Sequence, residues 1–319
     1  MAIDKQKFRP DPATGFGSVA SKIGGRFYRK DGSVNIARRG VGFFGQLSWY
    51  HTMVSIPRWK FYLILWLAFI LINLFFACIY YVIGVEHLGG IQTGSPYKNF
   101  AEAFFFSAQT FTTVGYGRIS PVGFIASSVA SFEAFIGLLG FALASGLFYG
   151  RFAKPRSFLH FSDIALFTPF KDGKALMFRT VPYKNNHLTD AEVKLTLALR
   201  IKEGDKIINE FYPLAAEFNK INSLVLNWTI VHPITEASPL YGLTLEELKA
   251  VNAEILVFVK AFDEVFANTV VGRTSYTADE FIENARFKSM YRSSSNGKTT
   301  VLNIDNLNDY ELVDSKSGN

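Results

Sequence analysis

Two long apolar runs divide the chain. The first, Phe61 to Gly84, has no charged residue and one strongly polar side chain, Asn73. The second, Val122 to Tyr149, carries a single charge, Glu133. About 20 apolar residues span a bilayer as a helix. The runs therefore predict spans at about 61–84 and 122–150. Glycines at 123, 137, 140 and 146 let a neighbouring helix approach the second closely. Between the runs, Asn99 to Thr112 is apolar but short. At about 1.5 Å per residue it cannot cross, and it predicts a helix that dips in and stops. Asn99 is its expected N-cap, with Glu102 three residues on. Before the first span, Phe43, Leu47, Tyr50 and Val54 recur at helical spacing and Pro57 ends the stripe, an amphipathic helix suited to a membrane surface.

Beyond residue 156 the period changes from helical to alternating. Val193, Leu195, Leu197, Leu199 and Ile201 point one way; Glu192, Lys194, Thr196, Ala198 and Arg200 point the other, as in a half-buried strand. Asp172-Gly173 between two apolar runs predicts a hairpin turn. Further strands are expected at Leu224–Ile230, Ile255–Phe262 and Thr269–Tyr276. Thr244 caps a short helix. Many short strands with few helices predict an all-β sandwich.

Charge places these parts. The 319 residues sum to +6. Residues 1–60 contribute +8, 61–150 contribute −1, 151–156 contribute +3 and 157–319 contribute −4. Basic residues thus flank the apolar third, and the sandwich is mildly acidic. A nucleic-acid protein more often concentrates its basic charge on a folded domain, so no nucleic-acid partner is expected. The positive-inside rule puts both termini in the cytoplasm, and a multi-pass protein of the cell's inner (plasma) membrane is expected. The first forty residues lack the apolar core of a secretory signal. Cys78 is alone, which excludes an intrachain disulfide. The five histidines are scattered, and no phosphate loop, dinucleotide fingerprint or HExxH spacing occurs. No enzyme and no cofactor are expected.

After the short helix comes Thr113-Val114-Gly115-Tyr116-Gly117, which resembles the selectivity filter of potassium channels. A dehydrated potassium ion needs oxygens in place of its water, and aligned backbone carbonyls supply them. Such backbone uses dihedrals that L-residues avoid, so glycines recur at Gly115 and Gly117. K+ sites are expected along Thr113, Val114, Gly115 and Tyr116. Thr113 adds a hydroxyl. Val114 and Tyr116 turn outward against the pore helix. The C-terminal end of that helix favours a cation. One chain supplies a quarter of such a cage, so the resemblance implies a homotetramer.

Four further features resemble the inward-rectifier potassium channel family, especially its prokaryotic members. They are the amphipathic stripe before the first span, Pro57-Arg58-Trp59-Lys60, the stretch Arg151-Phe152-Ala153-Lys154-Pro155-Arg156, and the strings Ser238-Pro239-Leu240-Tyr241 and Arg273-Thr274-Ser275-Tyr276. The resemblance runs from about residue 30 to 305. It implies a cytoplasmic N-terminal segment at 1–40 and a slide helix and two-span pore domain at 41–156, with pore helix and filter at 99–117. An immunoglobulin-like cytoplasmic domain at 157–304 and a tail at 305–319 complete it.

Individual roles follow from phase and resemblance. Ala134, Leu138, Phe141, Ser145 and Tyr149 share one helix face and are expected to line the pore, with Tyr149 at the gate; for Phe141 and Tyr149, packing against a neighbouring helix is the plainer alternative. By resemblance, Phe141 stands where strong rectifiers carry an acid that draws in polyamines and Mg2+. These are the blockers the family implies, and an apolar Phe141 argues against strong block at that position. Glu133, the only charge in either span, and Gln109 are expected to support the filter. Gln109 replaces a glutamate that pairs with arginine in many eukaryotic members. Arg58, Lys60, Arg151, Lys154 and Arg156 are expected at the inner headgroups, binding anionic phospholipid or simply setting topology. Glu203, Asp205 and Glu264 are either acids of a cytoplasmic vestibule or ordinary surface charges. The expected function is a K+-conducting inward rectifier gated at the inner helix bundle. The alternatives are a membrane-anchored ligand-binding module and a non-rectifying, ligand-gated two-span channel.

Overall fold

The helical part is built around one short helix held between two long ones. In the computed structural model, residues 8–11, 14–16, 25–36, 40, 42, 48–92, 94–184, 186–203 and 206–313 are described, with backbone alone at 202, 203, 206 and 207. The chain forms two compact units, 39–154 and a second made of 1–38 with 155–319.

In the first unit, α1 (Trp49–Ser55) precedes α2 (Arg58–Ile83). Of the expected amphipathic stripe, Tyr50 and Val54 lie on α1; Phe43 and Leu47 lie outside the described residues. Pro57 caps α2, and Gly84 ends it at φ 112°, a conformation that side chains disfavour. The ribbon partner β1 (Leu88–Gly89) follows, then α3 (Pro96–Phe111), β2 (Ser120–Pro121) and α4 (Phe124–Phe152). β1 pairs antiparallel with β2, so the ends of the outer loop are tied together.

The N-cap of α3 is Ser95 rather than Asn99. The Ser95 hydroxyl accepts from the Lys98 amide, and Pro96 occupies the first turn. Proline suits that position because its missing N–H is not needed there. Asn99 instead accepts from the Gly94 amide. Only 17% of the most apolar stretch of α2 and 22% of that of α4 is buried. Trp66, Leu71, Phe75 and Phe132 are each at least 60% exposed. Helices this apolar and this uncovered are not core helices of a water-soluble domain.

The main body of the second unit is two packed five-stranded sheets. Its strands are β3 (Leu159–Phe161), β4 (Ala165–Phe170), β5 (Gly173–Pro182), β6 (Leu188–Glu203), β7 (Lys206–Leu214), β8 (Lys220–Leu224) and β9 (Trp228–Ile234). After α5 (Leu245–Ala250) come β10 (Glu254–Asp263), β11 (Asn268–Thr277) and β12 (Phe281–Glu283). One sheet runs β11-β10-β6-β7 with β8 also on β6; the other runs β12-β4-β5-β3 with β9 also on β5. Val193, Leu195, Leu197 and Leu199 of β6 share one buried core with Phe178 of β5 and Ile230 of β9. This is a β-sandwich.

Three local expectations shift. The first hairpin turns at Lys171 and Asp172, because Gly173 already pairs with Phe170. Lys171 adopts the left-handed conformation at φ 53°. The single strand expected at Leu224–Ile230 is instead two, β8 and β9, in different sheets. Apolar content marked the region, but the chain crosses between sheets at 225–227. Third, alternation puts Ala198 on the solvent face of β6, yet it is 1% exposed.

The cover over Ala198 is the N-terminal segment. Phe27 packs with Ala198, Phe211 and Leu256 in a small core of its own. Glu254, itself buried, accepts the Phe27 amide on both carboxylate oxygens at 2.9 and 3.0 Å. Arg26 forms a two-pronged pair with Glu280, both bonds 3.0 Å. Tyr28 bridges Val34 across a turn. Gly32 in that turn sits at φ 77°, and a Cβ there would lie 2.5 Å from the Arg273 carbonyl oxygen.

Candidate functional site

The loop after α3 alternates in handedness. Thr113, Gly115 and Gly117 take φ of 57°, 54° and 82°. Alternation of this kind turns successive carbonyls to one side. The glycines are required by dihedral rather than by space, since nothing lies within 4 Å of a Cβ built on either. Thr113 takes the same conformation with a β-branched side chain, a strained arrangement that the sequence does not signal. The foot of α3 holds the loop. The amides of Val114 and Gly115 both donate to the Gln109 carbonyl, at 3.0 and 3.2 Å, and the Thr113 amide donates to Thr110. Gln109 thus acts through its backbone. Val114 and Tyr116 border a surface groove with Phe105, Ala108 and Gln109. Tyr116 is 83% exposed in one chain.

Glu133 is buried against α2 and α3. Its carboxylate accepts from Tyr80 Oη of α2 at 2.6 Å and contacts the Ser107 hydroxyl of α3. Asn73 of α2 contacts the same hydroxyl. Arg118, directly after the loop, pairs with Glu102 on α3. The sequence marked Glu133 by its charge, but Tyr80 and Ser107 carry no signal before the helices cross.

On α4, Leu138 and Phe141 border an apolar groove of about 640 Å3 together with Thr113, Phe111, Leu65 and Phe69. Ser145 and Tyr149, further along the same helix, are exposed, and Ala134 is half-buried. Gly137 lies directly against the foot of α3, where a Cβ would approach the Phe111 carbonyl oxygen to 2.0 Å.

The basic residues divide. Arg58, Lys60, Lys154 and Arg156 are exposed. Arg151 is half-buried, and its guanidinium donates to the carbonyls of Met53 and Ile56 at the end of α1 while stacking on Phe61. Of the acids, Glu264 is exposed in the turn after β10. Asp205 and the side chain of Glu203 lie outside the described residues.

Two strings behind the resemblance have structural roles. Ser238 bonds to Nε2 of buried His232 at 2.7 Å and accepts from the Leu240 amide. The other His232 nitrogen contacts the Ala215 carbonyl oxygen at 2.7 Å. Burial holds this imidazole below its ordinary range, with the Ala215 bond opposing. Ser275 accepts from Arg26 and donates to the Tyr28 carbonyl, and so helps to fasten the N-terminal segment.

Two membrane-length helices, a short helix ending in a left-handed-alternating loop, and a β-sandwich define a two-span potassium-channel subunit. Residues 61–153 match the ion channel model, and residues 159–318 match the inward rectifier potassium channel C-terminal domain model. The chain is 32% identical to inward rectifier potassium channel Kirbac3.1 of Paramagnetospirillum magnetotacticum, over 86% of this chain and 92% of that one. It is 30% identical to inward rectifier potassium channel 18 of Homo sapiens, over 86% of this chain and 70% of the relative. The ATP-sensitive inward rectifier potassium channel 12 of Bos taurus gives 29% over the same shares. The chain belongs to the inward-rectifier potassium channel family, as a member of the prokaryotic type. It is a multi-pass membrane protein and a channel, not an enzyme, and K+ is its permeant ion.

Proposed function

We propose that four copies surround one axis, with Thr113 to Gly117 of each forming the selectivity filter and K+ held by the carbonyls of Thr113, Val114, Gly115 and Tyr116. The carrying observation is the left-handed alternation at 113, 115 and 117, fixed by the Gln109 carbonyl. The bare apolar faces of Tyr116, Phe141 and Tyr149 support assembly, because a single chain leaves them uncovered. In this reading Ala134, Leu138, Phe141 and Ser145 line the inner cavity, and Tyr149 closes the gate by dewetting. Glu133 supports the filter.

Both termini are cytoplasmic, and the sandwich is of immunoglobulin type. The domains divide as 1–40, 41–156, 157–304 and 305–319. Arg58, Lys60, Lys154 and Arg156 engage anionic phospholipid headgroups, with Arg151 holding α1 beside them. Glu203, Asp205 and Glu264 are the acids of a cytoplasmic vestibule. Polyamines or Mg2+ block weakly, since Phe141 offers no charge.

Purified channel in potassium-loaded liposomes tests this. Barium-sensitive rubidium uptake and a reversal potential that follows K+ rather than Na+ are expected; their absence would sink the filter assignment. Added anionic lipid is expected to change the flux, and Arg156→Ala to blunt that change. Identical flux with and without anionic lipid would remove the lipid site.

A further inference from the structure

Four polar side chains meet inside the helical unit and are buried together. Asn73 and Tyr80 come from α2, Ser107 from α3 and Glu133 from α4, and each is 1% exposed or less in one chain alone. The site is sealed without a neighbouring subunit.

The hydrogen bonds allow a count of protons. Asn73 Nδ2 donates to the Phe69 carbonyl at 2.7 Å. That bond fixes the amide, because turning it over would set two oxygens face to face. Asn73 Oδ1 therefore points at Ser107 Oγ, 3.0 Å away. Ser107 Oγ also contacts Glu133 Oε1. The Tyr80 phenol proton is committed to Glu133 Oε2. A serine hydroxyl has one proton, and two oxygens ask for it. With Glu133 ionised, one of these two close contacts is a pair of oxygens with no hydrogen between them. A single proton on Oε1 satisfies all of them. Glu133 then donates to Ser107, Ser107 to Asn73, Asn73 to Phe69, and Tyr80 to Glu133.

The surroundings agree. Tyr80 shares one buried apolar cluster with Phe76, Ala77, Ala103, Phe106 and Ala130. Charged groups on the same three helices are committed elsewhere or lie toward the ends. Glu102 pairs with Arg118, Arg151 holds the end of α1, Lys98 is on the first turn of α3, and Arg58 and Lys60 open α2. Among the described residues no cation pairs with Glu133. A buried carboxylate without a cation carries a large desolvation cost, and a carboxylic acid avoids it.

We propose that Glu133 is a neutral carboxylic acid and a positioning residue for the filter. Its proton closes a chain of hydrogen bonds that pins α3 to both long helices. Ser107 and Gln109 are on the same helix, so this chain sets where the Gln109 carbonyl holds Val114 and Gly115. The proposal rests on the filter reading above.

The full-length channel in liposomes tests it through function and infrared spectroscopy together. Glu133→Gln supplies a donor for Ser107 and an acceptor for Tyr80, so it is expected to rescue the K+ over Na+ preference of the wild type. Glu133→Ala is expected to lower that preference by about tenfold, the size of losing one to two buried hydrogen bonds. Wild type is expected to show the carbonyl stretch of a protonated carboxylic acid, absent in Glu133→Gln and moved to higher wavenumber in Tyr80→Phe. If Glu133→Gln loses selectivity as Glu133→Ala does, or if no such band is present, the proposal is overturned. Should Glu133→Ala fail to assemble, the band shift in Tyr80→Phe still decides. A wild-type channel that shows the band but conducts no K+ would instead overturn the filter reading.

Discussion

Single residues here act mostly by hydrogen-bond accounting. Glu254 is the clearest case outside the membrane. Its carboxylate is the acceptor for the Phe27 amide, and burial raises its carboxyl above the usual range while the bonds from Phe27 and Tyr28 hold it down. Glu254→Ala would leave a buried amide without an acceptor. A loss of about 1–3 kcal/mol is expected, read as a lower melting temperature and as faster hydrogen exchange at Phe27. Unchanged exchange there would mean that Glu254 is not the anchor. His232 gives a pH effect of known sign. Its pKa is lowered in the folded chain from an ordinary 6.5. Below that value the unfolded chain takes up a proton that the folded chain resists, so stability falls as pH falls. The slope from this one group is at most ~1.4 kcal/mol per pH unit. Melting curves from neutral to mildly acidic pH should show a decline that His232→Gln reduces. Neither residue was readable beforehand. His232 was one of five scattered histidines, and Glu254 one acid among many, because partners from distant strands leave no local trace.

Helices and strands were largely legible, since their periods are local. The two spans, the short helix between them and the alternating β6 all appear where the pattern puts them. Their ends and covers were less so. Asn99 looked like the cap of α3, but Pro96 lets the helix begin earlier, at Ser95. Ala198 looked solvent-facing because the covering segment lies far away in sequence. The closest approach of two elements is also tertiary. At Gly137, α4 touches the backbone of Phe111, which cannot move aside without unwinding α3. Gly137→Ala is expected to abolish rubidium uptake. At Gly150 the obstacle is the Tyr50 hydroxyl, 2.4 Å from a built Cβ, at the far end of a flexible side chain. Gly150→Ala is therefore expected to keep most of the uptake, because the Tyr50 ring can swing aside where a helix backbone cannot. Equal loss in both variants would contradict the ranking.

At the scale of the molecule, the N-terminal residues belong to the sandwich unit although they precede the spans in sequence. Three contacts attach them: Phe27 is buried, Arg26 is doubly paired to Glu280, and Lys30 reaches the same carboxylate at 3.1 Å. Removing residues 1–36 from the full-length channel should uncover Phe211, Ala198 and Leu256. A lowered melting temperature and increased binding of a hydrophobic dye are expected; no change in either would mean that this cover contributes little. Residues 25–36 thus pack on strands that begin more than a hundred residues further along the chain.

The sequence alone determined the class of this protein. Length and polarity dictate which segments suit a bilayer, and a five-residue string dictates a backbone only alternating handedness can build. Those requirements are local, so they are written locally. Tertiary structure alone decided which polar groups meet. Asn73 was one polar side chain in an apolar run and Glu133 one charge in another. Only the crossing of three helices makes them a hydrogen-bonded chain, because a buried polar group is defined by its partner, and the partner is set by packing.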